Sequence, residues 1–577
     1  MDGVFRGIWG GTRHFWEQWR IIRLPDVLAI AFLAGVIYGI TSMAQEWTGA
    51  PRPAVEIDLS PWALPKYTFY SLSRGIMAYI LSLAFTLVYG YWAAKSRVAE
   101  RLLIPMLDIL QSIPVLGFMP GLIIALAAIF PHSNIGVELA AVVMIFTGQA
   151  WNMTYSFYYS VKSIPRELAE AATVYRFDWR ERLVWVELPS ATMGLVWNSM
   201  MSMAGGWFFL MICESFVLGD KDYRLPGLGS YMSVAVAKGD TGAMLWAIAA
   251  MVAMIVVLDQ LFWRPVVVWA QKFRVEEGGA KEEVSSWFLD LLNKSRAIAL
   301  LDRLLRVMVF ERPKHQHRPE KTPGPFSKIL RTIPFIAFIV LSLTLVAGAL
   351  KLIGTVSVLP IEDWVSIISA ALLTLGRVMT AVALGTLWTL PVGIAIGVSP
   401  RLSRALQPVV QIAASFPAPM LFPAMVALMI FLNIPLGWGS IVLMVFGTHW
   451  YILFNIIAGA MAIPADMHEA ARSYRLRGWQ RFRQLYVPAV LPYLATGWVA
   501  AAGGAWNASI VAEYVTHDNQ TLTAFGLGSQ ISMAAERADF PHLAAAVFVM
   551  ASVVVLLNRT LWQRVYLIAE QRFSINR

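Results

Sequence analysis

Two short polar loops carry the residue types best suited to act on a partner. Residues 164–189 read IPRELAEAATVYRFDWRERLVWVELP and residues 463–488 read IPADMHEAARSYRLRGWQRFRQLYVP. Glu170, Ala171, Ala172, Tyr175 and Arg176 of the first match Glu469, Ala470, Ala471, Tyr474 and Arg475 of the second, with the same distance from each Glu to the closing Pro189 or Pro488. Leu168, Ala171, Ala172 and Tyr175 recur at three- and four-residue spacing, which predicts a short helix after the Pro with an apolar stripe, then a turn and a second basic stretch. A charged rim around an apolar stripe is the chemistry of docking, not of bond breaking.

A second set of polar residues lies in apolar surroundings. Arg74 in SLSRG and Arg377 in TLGRV occupy matched places, and a buried Arg is costly enough to mark a functional candidate. Together they could attract an anion, or instead snorkel to a headgroup layer. Glu214 and Glu513 follow the Gly-rich segments MAGGWFF and AAGGAWN; an ion pair with Arg74 or Arg377 is the favoured role, a gate the other. Gly there permits close helix approach and is expected to project Trp207 and Trp506 into an interface. Gln149 in the first half, and Thr448 and His449 in the second, add polar groups to the otherwise apolar fourth run of each half, His449 more in keeping with a structural residue than a ligand. Arg74, Arg377, Trp207, Trp506, Glu214, Glu513, Gln149 and His449 therefore form the candidate substrate pathway. The single cysteine, Cys213, allows no internal disulfide, no Cys/His cluster has zinc spacing, and no catalytic set is present.

These residues must be positioned by membrane-spanning helices. Of 577 residues, 58% are hydrophobic and 14% charged, with a mean hydropathy of +0.60, against about 25% charged in a soluble domain; a soluble enzyme is excluded. Apolar runs near the length that crosses a bilayer occupy 25–45, 67–93, 103–130, 136–160, 190–217 and 241–263, and again 329–352, 364–398, 405–432, 437–460, 490–513 and 541–561. The first run ends Thr-Ser-Met-Ala but is too long for a signal peptide, so it is read as an uncleaved span. The net charge of +10 then reflects asymmetric location, not nucleic acid. Placing the N-terminus inside puts most Lys and Arg on the cytoplasmic side, so both termini are expected there.

The halves are copies. At an offset of 303, Arg74, Pro105, Pro114 and Pro120 fall on Arg377, Pro408, Pro417 and Pro423; at 299, Gly148, Trp151, Pro165, Glu170, Tyr175, Trp207, Glu214, Gly227 and Gly229 fall on Gly447, Trp450, Pro464, Glu469, Tyr474, Trp506, Glu513, Gly526 and Gly528. An even number of spans per half gives both the same orientation and predicts a pseudo-dimer with a pathway between halves. The expected organisation is a first unit over 1–266, a cytoplasmic linker over 267–328 and a second unit over 329–577. Trp287, Phe288, Leu291 and Leu292 in the linker, and Phe5, Ile8, Trp9 and Phe15 at the start, read as amphipathic segments suited to a lipid surface or to a partner subunit.

The duplicated Glu-Ala-Ala loop resembles that of the permease subunits of bacterial ABC importers, where it forms the coupling helix seated in the ATP-binding subunit. The Leu-Pro or Val-Pro ending, the Trp after the turn and the Pro-rich third run are most similar to the nitrate, sulfonate, taurine and bicarbonate branch. The family usually has Gly six residues after the Glu; here Arg176 and Arg475 stand there, so the sharp turn is expected at Asp178 and Gly478 instead. The resemblance implies an all-α membrane protein of twelve helices in two parallel six-helix repeats, of the type I importer plan, with two permease units fused. It also implies two ATP-binding subunits, which would hold the ATP and Mg, and a periplasmic solute-binding protein. The chain has no G-x-x-x-x-G-K-[ST] phosphate loop, in keeping with a separate motor. The reading is a bacterial inner-membrane pore subunit that moves a small solute, an anion such as nitrate, sulfonate or bicarbonate, by alternating access. The alternative is a secondary transporter of major-facilitator type.

Overall fold

The computed structural model describes residues 24–49, 56–112, 114–218, 221–273, 286–289, 347–348, 350–517 and 520–573. The N-terminal amphipathic segment, most of the linker and nearly all of the run at 329–352 lie outside the described residues. Those described are overwhelmingly helical, since a helix satisfies its own backbone hydrogen bonds where no water is at hand. Eight of their helices are long and apolar enough to cross a bilayer.

In the first half these are α2 (Pro61–Lys95), α5 (Ile135–Lys162), α7 (Trp179–Glu214) and α9 (Thr241–Phe273). They follow α1 (Leu24–Thr48) and are joined by α3 (Arg97–Ser112), α4 (Val115–Ile129), α6 (Arg166–Val174) and α8 (Leu228–Ala237). The second half repeats the order: α10 (Ile361–Val398), α11 (Pro400–Ser415), α12 (Phe422–Phe431), α13 (Leu436–Met461), α14 (Ala465–Ser473), α15 (Gly478–Ala512), α16 (Leu527–Glu536) and α17 (Phe540–Ala569). The chain is thus an all-α membrane protein built from two repeats.

The third apolar run of each half differs from the single span its length implies. It is two helices meeting at a corner. Pro114 is extended (ψ 119°) between α3 and α4, and Phe416 and Pro417 are extended (ψ 126° and 116°) after α11. Proline pushes its predecessor out of the helical region and lacks the N–H a continuous helix needs. After each fifth span the chain also forms a hairpin that hydropathy does not reveal: β1 (Val217–Leu218) with β2 (Lys221–Asp222), and β3 (Tyr514–His517) with β4 (Gln520–Thr523), both antiparallel.

Contacts divide the chain into two units. Residues 47–257, 273–275 and 350–577 form one, which holds the paired spans of both repeats. The other comprises 1–46, 258–272 and 276–349; within it Trp287 Nε1 donates to Gln260 Oε1 at 3.2 Å. In the first of these units α5 packs on α2, α4 and α7, and α13 packs on α10 and α15. The halves interlock, α17 against α3 and α4, and α7 against α11. Small residues make the approaches possible: a Cβ on Gly117 would meet Val547 at 3.2 Å, and one on Gly497 would lie 3.1 Å from the Ile452 Cα. Hydrocarbon supplies no hydrophobic drive for helix association, so such close van der Waals contact must hold the bundle.

Candidate functional site: coupling loops, buried ion pairs and a cavity between the halves

The two polar loops fold alike. α6 and α14 begin after Pro165 and Pro464, whose missing N–H costs nothing at a helix start. Each ends in a Schellman turn: Phe177 N donates to Ala172 O and Arg176 N to Thr173 O, repeated by Leu476 N to Ala471 O and Arg475 N to Arg472 O. The residue in the left-handed position is Arg176 (φ 52°) or Arg475 (φ 56°). This corrects the expectation that Asp178 bends the first turn. Asp178 is extended (φ −69°) and caps α7, accepting from Glu181 N at 2.7 Å while Glu181 Oε2 accepts from Asp178 N at 3.0 Å. In the second loop Gly478 also has positive φ (46°), one residue after the N-cap Arg477.

A side chain in the left-handed region costs about 1 kcal/mol that Gly avoids. Arg176→Gly and Arg475→Gly are therefore expected to raise stability by up to about 1 kcal/mol each, less what Gly adds to unfolded-chain entropy. Thermal melting of the purified chain in one detergent measures this; a lower midpoint would mean that the Arg side chains hold the turns.

Only the second Ala of each motif turns inward: Ala172 is 3% and Ala471 4% exposed. Glu170, Ala171, Glu469 and Ala470 are exposed, as are Leu168, Val174, Tyr175 and Tyr474. Each of these short helices, α6 and α14, is tied to the fifth span that follows it. In the first half Arg182 Nη2 donates to Ala169 O at 3.5 Å and Arg182 Nε lies 3.6 Å from Glu187, which also pairs with Lys95. In the second half Arg481 Nη2 donates to His468 Nδ1 at 2.9 Å and its guanidinium sits 5.2 Å over the Tyr486 ring. Burial, helped by the Arg481 and Arg472 charges, pushes the His468 imidazole down from its ordinary value, which favours the neutral ring that can accept that bond. A π-helical turn follows at Leu183–Glu187 and Phe482–Tyr486.

At the opposite end of the same spans stand the matched ion pairs. Arg74 is fully buried, with Nε and Nη2 each 2.6 Å from Glu138 and Nη1 donating to Glu214 at 2.7 Å and to Pro226 O at 2.8 Å. Every guanidinium nitrogen is engaged. Glu214 also accepts from Ser71 Oγ at 2.7 Å and Gly229 N at 2.8 Å, and Ser71 Oγ accepts from Leu228 N at 2.9 Å. Gly227 is required by space rather than by φ, because a Cβ there would lie 2.3 Å from the Glu214 carboxyl carbon. The second half repeats this bond for bond with Arg377, Glu513, Thr374, Leu527 and Gly528. One partner differs. Glu138 has Gly437 as its counterpart, and Arg377 Nε meets only the Gly437 carbonyl at 3.2 Å. Sequence reasoning missed Glu138 because the repeat does not duplicate it; the unmatched carboxylate in an apolar helix was the available signal.

Between the halves lies a cavity bordered by α7, α13, α15 and the Phe416–Pro417 corner. Phe208, Phe446, Trp450, Tyr451 and Asn507 contribute to its wall, and none of its lining side chains is charged. All eight pathway candidates lie off it. On α7 the lining face is Met201, Ala204, Gly205 and Phe208, so Trp207 points elsewhere, its ring where a Gly75 Cβ would be, at 2.6 Å. This corrects its placement at the interface. Trp506 is 2% exposed within the core. Gln149 is buried against Met203 and Ser82. His449 bonds Val445 O through Nδ1 at 2.5 Å, and its ring lies tilted against those of Trp388 and Trp450, centroids 5.0 and 4.2 Å away. Of the cavity-lining residues, Gly447 and Trp450 match Gly148 and Trp151 across the repeat, but Phe446, Tyr451 and Asn507 correspond to Thr147, Asn152 and Phe208 and carried no repeat signal.

The family model described as binding-protein-dependent transport system inner membrane component matches residues 86–262 and 389–574. Among curated proteins, the glycine betaine transport system permease protein of Bacillus subtilis is 26% identical over 267 residues, 45% of this chain and 87% of its own. The bicarbonate transport system permease protein of Synechocystis is 30% identical over 188 residues, 33% of this chain and 64% of its own. The nitrate import permease protein of Leptolyngbya laminosa is 30% identical over 144 residues, a quarter of this chain and half of its own. With a match in each repeat, together more than half its length, the chain belongs to the family of binding-protein-dependent transport system inner membrane components and carries two permease units.

Proposed function

We propose that the chain is the complete membrane pore of an ATP-driven importer, with α6 and α14 seated in two separate ATP-binding subunits. One observation carries this reading. α7 and α15 each run unbroken from a coupling loop, past the cavity, to a buried ion pair. Each is roughly 50 Å long at 1.5 Å per residue, so a displacement at the loop is delivered to the cavity wall. Binding of ATP and of delivered solute to different conformations would then drive alternating access. ATP and Mg belong to the partner, and a solute-binding protein supplies cargo. The loops lie on the cytoplasmic side of an inner membrane, with both termini cytoplasmic. Residues 1–266 and 329–577 are the permease units and 267–328 the linker, an arrangement that the two family matches support. They also weigh against the major-facilitator alternative.

The loops are not interchangeable. Residues 165–178 carry Arg166 and Arg176 against Glu167, Glu170 and Asp178; residues 464–477 carry Arg472, Arg475 and Arg477 against Asp466 and Glu469. One is net negative, the other net positive.

The proposed cargo is a small anion of the nitrate, sulfonate or bicarbonate class, supported by the bicarbonate and nitrate relatives. The uncharged aromatic cavity and the glycine betaine relative favour a second reading, a zwitterion whose quaternary ammonium rests on ring faces. Proteoliposomes containing the chain, its ATP-binding subunits and its solute-binding protein test both. Accumulation of nitrate, bicarbonate or glycine betaine is expected only with internal ATP, and the accumulated solute identifies the class. Uptake driven by an ion gradient without ATP would overturn the importer reading.

A further inference from the structure

The two repeats serve as each other's control at the buried Arg. In the first half the Glu138 carboxylate lies side-on to Arg74, its two oxygens each 2.6 Å from Nε and Nη2, and the Arg74 side chain is 0% exposed. In the second half every other bond of the cluster is kept, but Gly437 replaces Glu138. Arg377 then pairs with one carboxylate instead of two, and its side chain is 9% exposed. Among the described residues no acceptor is recorded for Arg377 Nη2. The space in front of it is open, because a Cβ on Gly437 would meet only that Nη2, at 3.7 Å.

From this we infer that the space between Gly437 and Arg377 is a binding site for a small planar oxyanion, which takes the open Nη2 and displaces the Gly437 carbonyl, now 3.2 Å from Nε, so as to be held side-on as Glu138 is held by Arg74. Two coplanar oxygens match the guanidinium fork, and the bonds are charge-assisted. Nitrate, bicarbonate and formate share that geometry; tetrahedral sulfate presents it less well. Charge does not forbid occupancy, since the first half already holds two carboxylates around one Arg in the same frame. Arg74, saturated by Glu138, binds no anion. That the anion is cargo rests on the importer reading; that the site binds it does not.

The test uses the purified full chain in detergent, without ATPase. Sodium nitrate, and separately bicarbonate and formate, should raise its melting temperature saturably over sodium chloride at equal ionic strength, as a ligand of the folded state must. Gly437→Ala should keep the shift. Gly437→Glu, which rebuilds the first-half cluster, should melt no lower than wild type and lose the shift. Gly437→Gln fills the same space without charge and should lose it as well. An absent shift in wild type, or a shift that survives both Gly437→Glu and Gly437→Gln, overturns the inference. ATP-dependent uptake that proceeds normally in such a case would leave the importer reading standing.

Discussion

Arg74→Gln is expected to prevent most of the chain from folding, because it strands Glu138 and Glu214, both fully buried, without a cation. Removing one partner of a buried pair typically costs about 3–5 kcal/mol, a large part of the whole stability of an ordinary domain. Arg377→Gln should cost less, since one carboxylate rather than two loses its partner and the site is slightly open. The yield of monodisperse protein and its melting midpoint in one detergent measure both. Adding Glu138→Gln to Arg74→Gln should recover part of the loss, a coupling that a double-mutant cycle reads directly. An Arg74→Gln chain that melts like wild type would mean that the cluster is not a clamp between α2, α5 and α7.

Reversing charge at both loop helices, α6 and α14, by Glu170→Arg with Glu469→Arg, should leave the chain folded and inserted. Both residues are exposed, and neither makes a recorded side-chain bond among the described residues. Like charges brought together at a docked interface cost several kcal/mol, and each 1.4 kcal/mol is tenfold in affinity, so ATP-dependent uptake should fall by at least about tenfold. Co-purification with the ATP-binding subunit and ATP hydrolysis in the same proteoliposomes separate lost assembly from lost coupling. Wild-type uptake would remove the docking role from these loops.

The duplication, the two Glu-Ala-Ala loops and the location of most spans were legible in the residues alone, because each rests on local information. Twenty apolar residues make a span wherever they occur, and a fixed offset survives folding. The corners at Pro114 and Pro417 were legible in principle but were overridden by hydropathy, which averages over a window and is blind to one extended residue. The turn at Arg176 was misplaced because left-handed backbone was assigned by residue preference. The Schellman bonds from Phe177 and Arg176, and the cap at Asp178, decide it instead.

What only the tertiary structure decided is which polar groups meet. Sequence marked Arg74, Arg377, Glu214 and Glu513 as costly residues in apolar surroundings. It did not show that Glu138, 64 positions from Arg74, takes two of its guanidinium nitrogens while the second half leaves that place to a glycine. Nor did it show that the cavity is lined by Phe446, Tyr451 and Asn507 rather than by the charged pairs. Helix periodicity fixes which residues share a face, but the direction of that face is set by neighbouring helices, and in hydrocarbon their approach is decided by single contacts such as Gly75 beneath Trp207. A buried charge announces that it needs a partner; the identity of the partner is a property of the packed bundle.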